Sequence, residues 1–384
     1  MYNRTAEKKI KELLTMFPVV TVTGCRQCGK STLLKNLLPD YKYVSLEDID
    51  NRMDAEQDPR GFLKIYSTHT IIDEIQRVPS LLSYIQSHVD EVNEHGMYVL
   101  TGSHNLLLMQ SVSQTLAGRT ALFTMAPLSV SEMRDADILP QTINELLYTG
   151  SFPRIYNEHI NPTLFYSSYF QTYVERDVRQ VQNVTELTAF SKFIKLCAGR
   201  VGQLLNITEL AEAAEISRPT AEKWISVLET SYIIFRLQPY YANIEKRLVK
   251  SPKLYFYDTG LACYLLGITK PADIEQFYLR GALFENLIVS DFLKQRYFTG
   301  LESNLFFYRD KNNVEVDLIT KEFQFLKAYE IKAGATRNQD FLKNIKLLVR
   351  NGILKNENCN IVYGGDQSLP ATDEKPGFIP WNMI

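Results

Sequence analysis

Charge of one sign is what this chain most lacks. Among its 384 residues, 42 Lys and Arg oppose 44 Asp and Glu, a formal net charge of −2. Binding nucleic acid through bulk electrostatics needs a strongly basic protein, so any such contact has to come from a local patch. Long apolar runs are missing too, and none approaches the roughly 18–20 residues that span a bilayer. The first fourteen residues (MYNRTAEKKIKELL) are too charged for a secretory signal and read as an amphipathic helix. Cysteine is sparse and odd in number, at five, which favours a reducing cytoplasm over a disulfide framework. Membrane, secreted and fibrous classes are therefore not expected. What is present is the composition of a folded protein: 45% apolar, 22% charged and 11% aromatic, in a length that suits two or three domains.

The periodicity predicts an α/β multidomain protein. Val19–Thr23, Tyr43–Leu46, Thr70–Asp73, Met97–Thr101 and Ala121–Met125 are apolar or β-branched and alternate with helical patterns, which implies a mostly parallel sheet. We expect this P-loop domain over residues 1–135 and a helical region over 136–202. Over 203–270, Ile207, Leu210, Ala211 and Ala214, then Ala221, Trp224, Ile225 and Leu228, mark two short helices, with Ser217 a candidate N-cap. β-rich runs follow, which predicts a winged helix-turn-helix. Thr269–Asp273 reads as a linker. A small α/β domain is expected over 275–384: a helix over Ala282–Lys294, strands at Leu305–Tyr308, Glu315–Thr320 and Ala328–Lys332, a helix near Asp340–Arg350, and a strand at Asn360–Tyr363.

Gly24, Cys25, Arg26, Gln27, Cys28, Gly29, Lys30 and Ser31 fit G-x-x-x-x-G-K-[ST], with a strand pattern before them and a helical pattern, Ser31–Leu38, after; Thr32 joins them as a candidate nucleotide contact. Glycines let the backbone wrap phosphates closely, and N–H groups at the helix start point at negative oxygen. Lys30 is placed for the β- and γ-phosphates of ATP, and Ser31 for Mg²⁺. Thr70-Ile71-Ile72-Asp73-Glu74 is a buried-strand run ending in two acids. Asp73 is a candidate second Mg²⁺ ligand, and Glu74 a candidate to polarise the attacking water. Helix capping is the plainer role for both acids.

One strand, Tyr43–Leu46, separates the two motifs, as in the nucleotide-binding class to which AAA+ ATPases belong. After the next strand, Ser103, His104 or Asn105 is a candidate γ-phosphate sensor, Ser103 preferred, with a simple chain turn the alternative. The ordered set of Walker A, IIDEIQ, LTGS, Leu116-Ala117-Gly118-Arg119 and Ala126-Pro127-Leu128-Ser129 resembles the AAA family ATPases with a C-terminal DUF4143 domain, relatives of the archaeal-type ATPases. The resemblance runs over nearly the whole chain. It implies a catalytic part for Arg119 on γ-phosphate charge, for which a surface ion pair is the alternative. It also allows for an arginine from a neighbouring subunit, and hence an oligomer. Cys25 and Cys28 form C-x-x-C without a second pair, and the five histidines show no ligand spacing, so the two cysteines read as loop filler.

Two further constellations bear on partners. The presumed recognition helix, Arg218–Thr230, balances Arg218 and Lys223 against Glu222 and Glu229, a poor match for a major groove. Beyond it, Lys246, Arg247, Lys250 and Lys253 oppose only Glu245, and Tyr240, Tyr241 and Tyr255 are near in sequence. A basic wing there is a candidate DNA contact. Packing of the module against the ATPase is the other reading. Near the C-terminus, period two puts Glu315 and Asp317 on one strand face and Glu330 and Lys332 on another. With Glu285 upstream, this resembles the D…E-x-K signature of restriction-endonuclease-like domains. The resemblance implies a nuclease-like site of Glu285, Asp317, Glu330 and Lys332 around a divalent metal. The alternative is solvated charge on half-exposed strands. Two functions follow: an ATP-driven enzyme acting on DNA, or a nucleotide-dependent switch whose C-terminal half binds a protein partner and cuts nothing.

Overall fold

The computed structural model describes residues 2–102, 112, 114–178, 187–240, 251–310 and 314–384. Ser103, His104 and Asn105, together with Tyr241, Glu245, Lys246, Arg247 and Lys250, lie outside the described residues. The chain divides into two compact units.

The first unit comprises Met1–Leu128 with Thr230–Tyr232 and Arg296–Glu302. Its sheet holds β1 (Val19–Gly24), β2 (Lys42–Ser45), β3 (Thr70–Asp73), β4 (Tyr98–Thr101) and β5 (Thr120–Met125), in the order β2-β3-β4-β1-β5. Every pairing is parallel. The three central strands are buried at every position, and this is why they read as unbroken apolar or β-branched runs. The edge strands β2 and β5 are only partly buried. In space it is β4 that separates the strands carrying the two motifs, while β2 lies outside β3. Ser45 is in register with Asp73, and Gly24 with Met125, so the strand C-termini form one edge. In open parallel sheets that edge is where ligands bind.

The second unit comprises Ser129–Glu229, Ile233–Gln295 and Ser303–Ile384. Its helices begin where the sequence supplies caps. Ser129 with Glu132 and Thr142 with Glu145 form capping boxes, and Ser217 Oγ accepts from Thr220 N at 3.2 Å. Helices Ile207–Ala214 and Arg218–Thr230 are followed by β6 (Ile234–Pro239) and β7 (Lys253–Phe256), an antiparallel pair. Pro271–Ile274, in the expected linker, is a short 3-10 turn. The helix Arg280–Phe298 leads to β8 (Leu305–Arg309), β9 (Glu315–Glu322), β10 (Phe325–Lys332), the helix Lys343–Arg350, β11 (Cys359–Tyr363) and β12 (Gly377–Pro380). Strands β8, β9 and β10 form an antiparallel meander, and β11 and β12 add parallel to β10. Because β6 pairs with β8, β6 and β7 belong to the same seven-stranded sheet, ordered β12-β11-β10-β9-β8-β6-β7. No helix among the described residues is long and apolar enough to cross a membrane.

Candidate functional site

The turn after β1 is tight enough to demand its glycines. Gly24 has φ +135°, and a Cβ there would lie 1.8 Å from the Met125 carbonyl oxygen. Gly29, at φ +95°, takes the left-handed conformation immediately before the helix Lys30–Leu37. Cys25 and Cys28 are buried free thiols directed apart, one toward Tyr232 O at 3.6 Å and the other toward Met125 O at 3.5 Å. They fill the turn. Lys30 is buried and donates to the carbonyls of Gly24 (3.0 Å) and Cys25 (2.8 Å). Thr32 is exposed on the first helical turn. A brace absent from the sequence reading is Arg4, whose buried guanidinium donates to Cys28 O at 3.0 Å and Ala126 O at 2.8 Å. It ties the loop to the chain leaving β5.

Asp73, 7% exposed at the end of β3, gathers three hydroxyls. Ser31 Oγ and Tyr43 OH donate to its Oδ2 at 2.9 and 2.6 Å, and Thr101 Oγ1 donates to Oδ1. The Thr101 hydroxyl also accepts from Glu74 N at 3.4 Å. Ser31 and Asp73 thus put a hydroxyl and a carboxylate, both hard oxygen donors, side by side at the loop, which fits Mg²⁺. Tyr43 and Thr101 were missed by the sequence reading. Their positions on the strands flanking β3, Tyr43 in register with Ile71 and Thr101 one residue beyond Leu100, the partner of Ile72, were the available signal. Burial and the neighbouring Asp73 drive the Tyr43 phenol well above its ordinary pKa, so it stays a donor.

Glu74 sits in the left-handed region at φ 57°, and its carboxylate accepts from Gln76 Nε2. Conformations of that kind in non-glycine residues cost energy and concentrate at functional sites. Beside it, Arg77 Nη2 lies 3.7 Å from Glu47 Oε1, and Arg26 Nη2 of the phosphate loop lies 3.8 Å from the same oxygen. Arg119 is a correction. Val19 N donates to its carbonyl, and the next residue, Thr120, is in register with Val19, so Arg119 stands at the opposite, N-terminal edge of the sheet. It pairs bidentately with Asp90 at 2.6 and 2.9 Å, the surface ion pair that was its alternative role.

The C-terminal acids and lysines do come together. Lys253, 3% exposed, reaches Glu285 Oε1 at 2.8 Å and Glu315 Oε1 at 2.6 Å, and Tyr255 OH donates to the same Glu285 oxygen. Lys332 lies 2.8 Å from Glu330 Oε1 and 3.7 Å from Asp317 Oδ2, which also accepts from Ile331 N at 2.8 Å. Lys253 and Tyr255 are therefore inside this cluster, correcting their assignment to a phosphate-tracking wing; Tyr240 packs edge-on against Phe306. Burial and Asp317 push Glu285 up to about 7 and Glu330 up to about 8, in spite of Lys253 and Lys332 beside them. The acids hold Lys253 charged against the cost of burial. Lysine, tyrosine and backbone donors take Glu285 Oε1, Glu315 Oε1, Glu330 Oε1 and Asp317 Oδ2, whereas Glu330 Oε2 is buried without a hydrogen-bond partner. Among the described residues no three His, Cys, Asp or Glu are arranged to hold a metal ion. A divalent metal would have to displace Lys332 from Asp317 and Glu330, and Glu330 Oε2 is an acceptor left open to it.

Comparison with known proteins divides the chain in three. Residues 16–134 match the AAA domain family, residues 140–272 a domain of unknown function (DUF8612), and residues 280–384 a domain of unknown function (DUF4143). An uncharacterized protein of Mycobacterium tuberculosis is 28% identical over 96% of this chain and 82% of its own length. One from Haemophilus influenzae is 24% identical over 65% of this chain and 69% of its own. Among solved structures, a Walker-type ATPase of Pyrococcus abyssi covers 69% of this chain and 96% of its own, at 13% identity and a TM-score of 0.46.

Proposed function

We propose that this chain, whose residues 16–134 match the AAA domain family and residues 280–384 DUF4143, binds ATP with Mg²⁺ and hydrolyses it to ADP and phosphate. The observation that carries this is the 2.9 Å contact between Ser31 Oγ and Asp73 Oδ2, which joins the two motifs across 42 residues of sequence. The N–H groups of the turn and of the helix start receive the phosphates. Lys30, held on carbonyl oxygens, turns its charge to the β- and γ-phosphates, a stronger partner than a neutral carbonyl. Ser31 and Asp73 would hold Mg²⁺, which when bound neutralises phosphate charge. Glu74 orients and polarises the attacking water, with Gln76 fixing its carboxylate.

Lys30→Ala should weaken ATP binding about 10- to 100-fold, the worth of a charge-assisted hydrogen bond. Glu74→Gln should keep ATP affinity and lower turnover by a factor of about 10² or more. Titration calorimetry and phosphate release measure the two. Wild-type values in both variants would overturn the assignment.

For the C-terminal half, buried Lys253 and half-buried Lys332 on its carboxylates favour the switch reading over the nuclease. This half responds to nucleotide state and engages a partner without cutting nucleic acid. Incubated with Mg²⁺ or Mn²⁺ and single-strand, duplex or branched DNA, the protein should leave every substrate intact. Cleavage that disappears in Asp317→Ala with Glu330→Ala would restore the nuclease.

A further inference from the structure

Lys30 is not the only cation in the phosphate loop. Arg26 occupies the third position of the motif, and its guanidinium shares one oxygen of Glu47 with Arg77. Three segments meet there. Arg26 comes from the loop, Glu47 from the turn two residues beyond the end of β2, and Arg77 from the 3-10 turn Ile75–Arg77 that follows Glu74. Since Ser45 is in register with Asp73 and Leu46 N donates to Asp73 O, this trio stands on the same sheet edge as Ser31, Asp73 and Glu74.

The trio is poorly suited to holding the fold together. Its contacts of 3.8 and 3.7 Å are longer than the usual charge-assisted hydrogen bond of about 2.7–2.9 Å. The three side chains are 35%, 54% and 44% exposed, and ion pairs so open to solvent add little to stability. Loosely held and exposed, these arginines are ready to exchange Glu47 for an anion of higher charge.

We propose that Arg26 and Arg77 form an in-chain clamp on the terminal phosphate of the nucleotide, and that Glu47 is the internal anion they leave to do so. This rests on the ATP reading above and adds to it the source of discrimination. ADP has no third phosphate to draw the arginines away, so Glu47 keeps them. With ATP, planar guanidinium groups can each give two N–H donors to phosphate oxygens, and their charge opposes the charge that develops there during transfer. Glu47 then sets the threshold: the ligand has to outcompete it.

The test uses the full chain with Mg²⁺, measuring Kd for ATP and for ADP by calorimetry and kcat by phosphate release. Arg26→Ala and Arg77→Ala should each weaken ATP about tenfold, with ADP affinity held within about twofold, and should lower kcat. Arg26→Lys should recover only part of the loss, because lysine lacks the two-pronged geometry. Glu47→Gln should tighten ATP about two- to fivefold without moving ADP, as removal of a weak surface competitor predicts. A wild-type ratio of ATP to ADP affinity in both arginine variants, or equal losses for the two nucleotides, would overturn the clamp. Weaker ATP binding in Glu47→Gln would overturn the part given to Glu47. A wild-type protein that takes up neither nucleotide would sink the underlying reading and the clamp with it.

Discussion

Lys30 and Lys253 are both buried, at 7% and 3% exposure, yet they spend their charge differently. Lys30 donates to two neutral carbonyls, whereas Lys253 lies between two carboxylates. The acids differ in the same sense: Asp73 is met by three hydroxyls, and Glu330 by an ammonium. Among the described residues, no carboxylate pairs with Lys30 and no cation with Asp73. A buried charge solvated only by dipoles is poised to receive charge from outside, while one compensated within the chain is already satisfied. By this criterion the phosphate loop is built for a ligand. The C-terminal cluster, whose residues match a catalytic signature, carries its own cations, though Glu330 Oε2 is left without a partner.

The sharpest way to break that comparison is to remove each lysine and follow stability and binding separately. Lys253→Met leaves Glu285 without its cation and Glu315 with Arg309 alone, and loss of one partner from a buried pair costs about 3–5 kcal/mol. The urea midpoint should fall accordingly, while ATP affinity at low denaturant stays as in the wild type. Lys30→Ala should do the reverse. Its carbonyl partners can turn to water, so stability should change by no more than about 1 kcal/mol while ATP binding weakens about 10- to 100-fold. An unmoved midpoint in Lys253→Met would mean that the cluster is solvated charge, and the distinction between the two sites would fail.

The parts of this architecture visible in the sequence are those that depend on neighbours along the chain. Strands β1, β3 and β4 are buried on both faces, so each reads as a continuous apolar or β-branched run, and G-x-x-x-x-G-K-S is a local turn. What pairing in space decides was not visible. Arg4 reaches a carbonyl 122 residues away, and Tyr43 and Thr101 meet Asp73 only because their strands flank β3. Lys253 looked like the end of a basic run, but at the start of β7 its side chain turns inward onto Glu285. Arg119 is different, because its signal was present. A residue that immediately precedes a strand of a parallel sheet lies at the edge opposite the phosphate loop, whatever its charge.

A smaller effect sharpens the comparison through pH. The Glu330 carboxyl, buried beside Asp317, is pushed up to about 8 in the folded protein, against about 4.3 for an exposed glutamate. An acid whose value is raised by folding binds its proton more tightly in the folded state. The stability it contributes is complete below its unfolded value and is lost as pH rises through its folded value. Wild-type stability should therefore decline between about pH 4.3 and about pH 8, with Glu285, pushed up to about 7, adding to the lower part of that window. Glutamine cannot ionise, so Glu330→Gln should flatten the decline above about pH 7 and leave the Glu285 portion in place. Urea midpoints from about pH 6 to about pH 9 measure both slopes. Parallel slopes in the two proteins would mean that Glu330 is ionised throughout, which would make this cluster as open to outside charge as the phosphate loop.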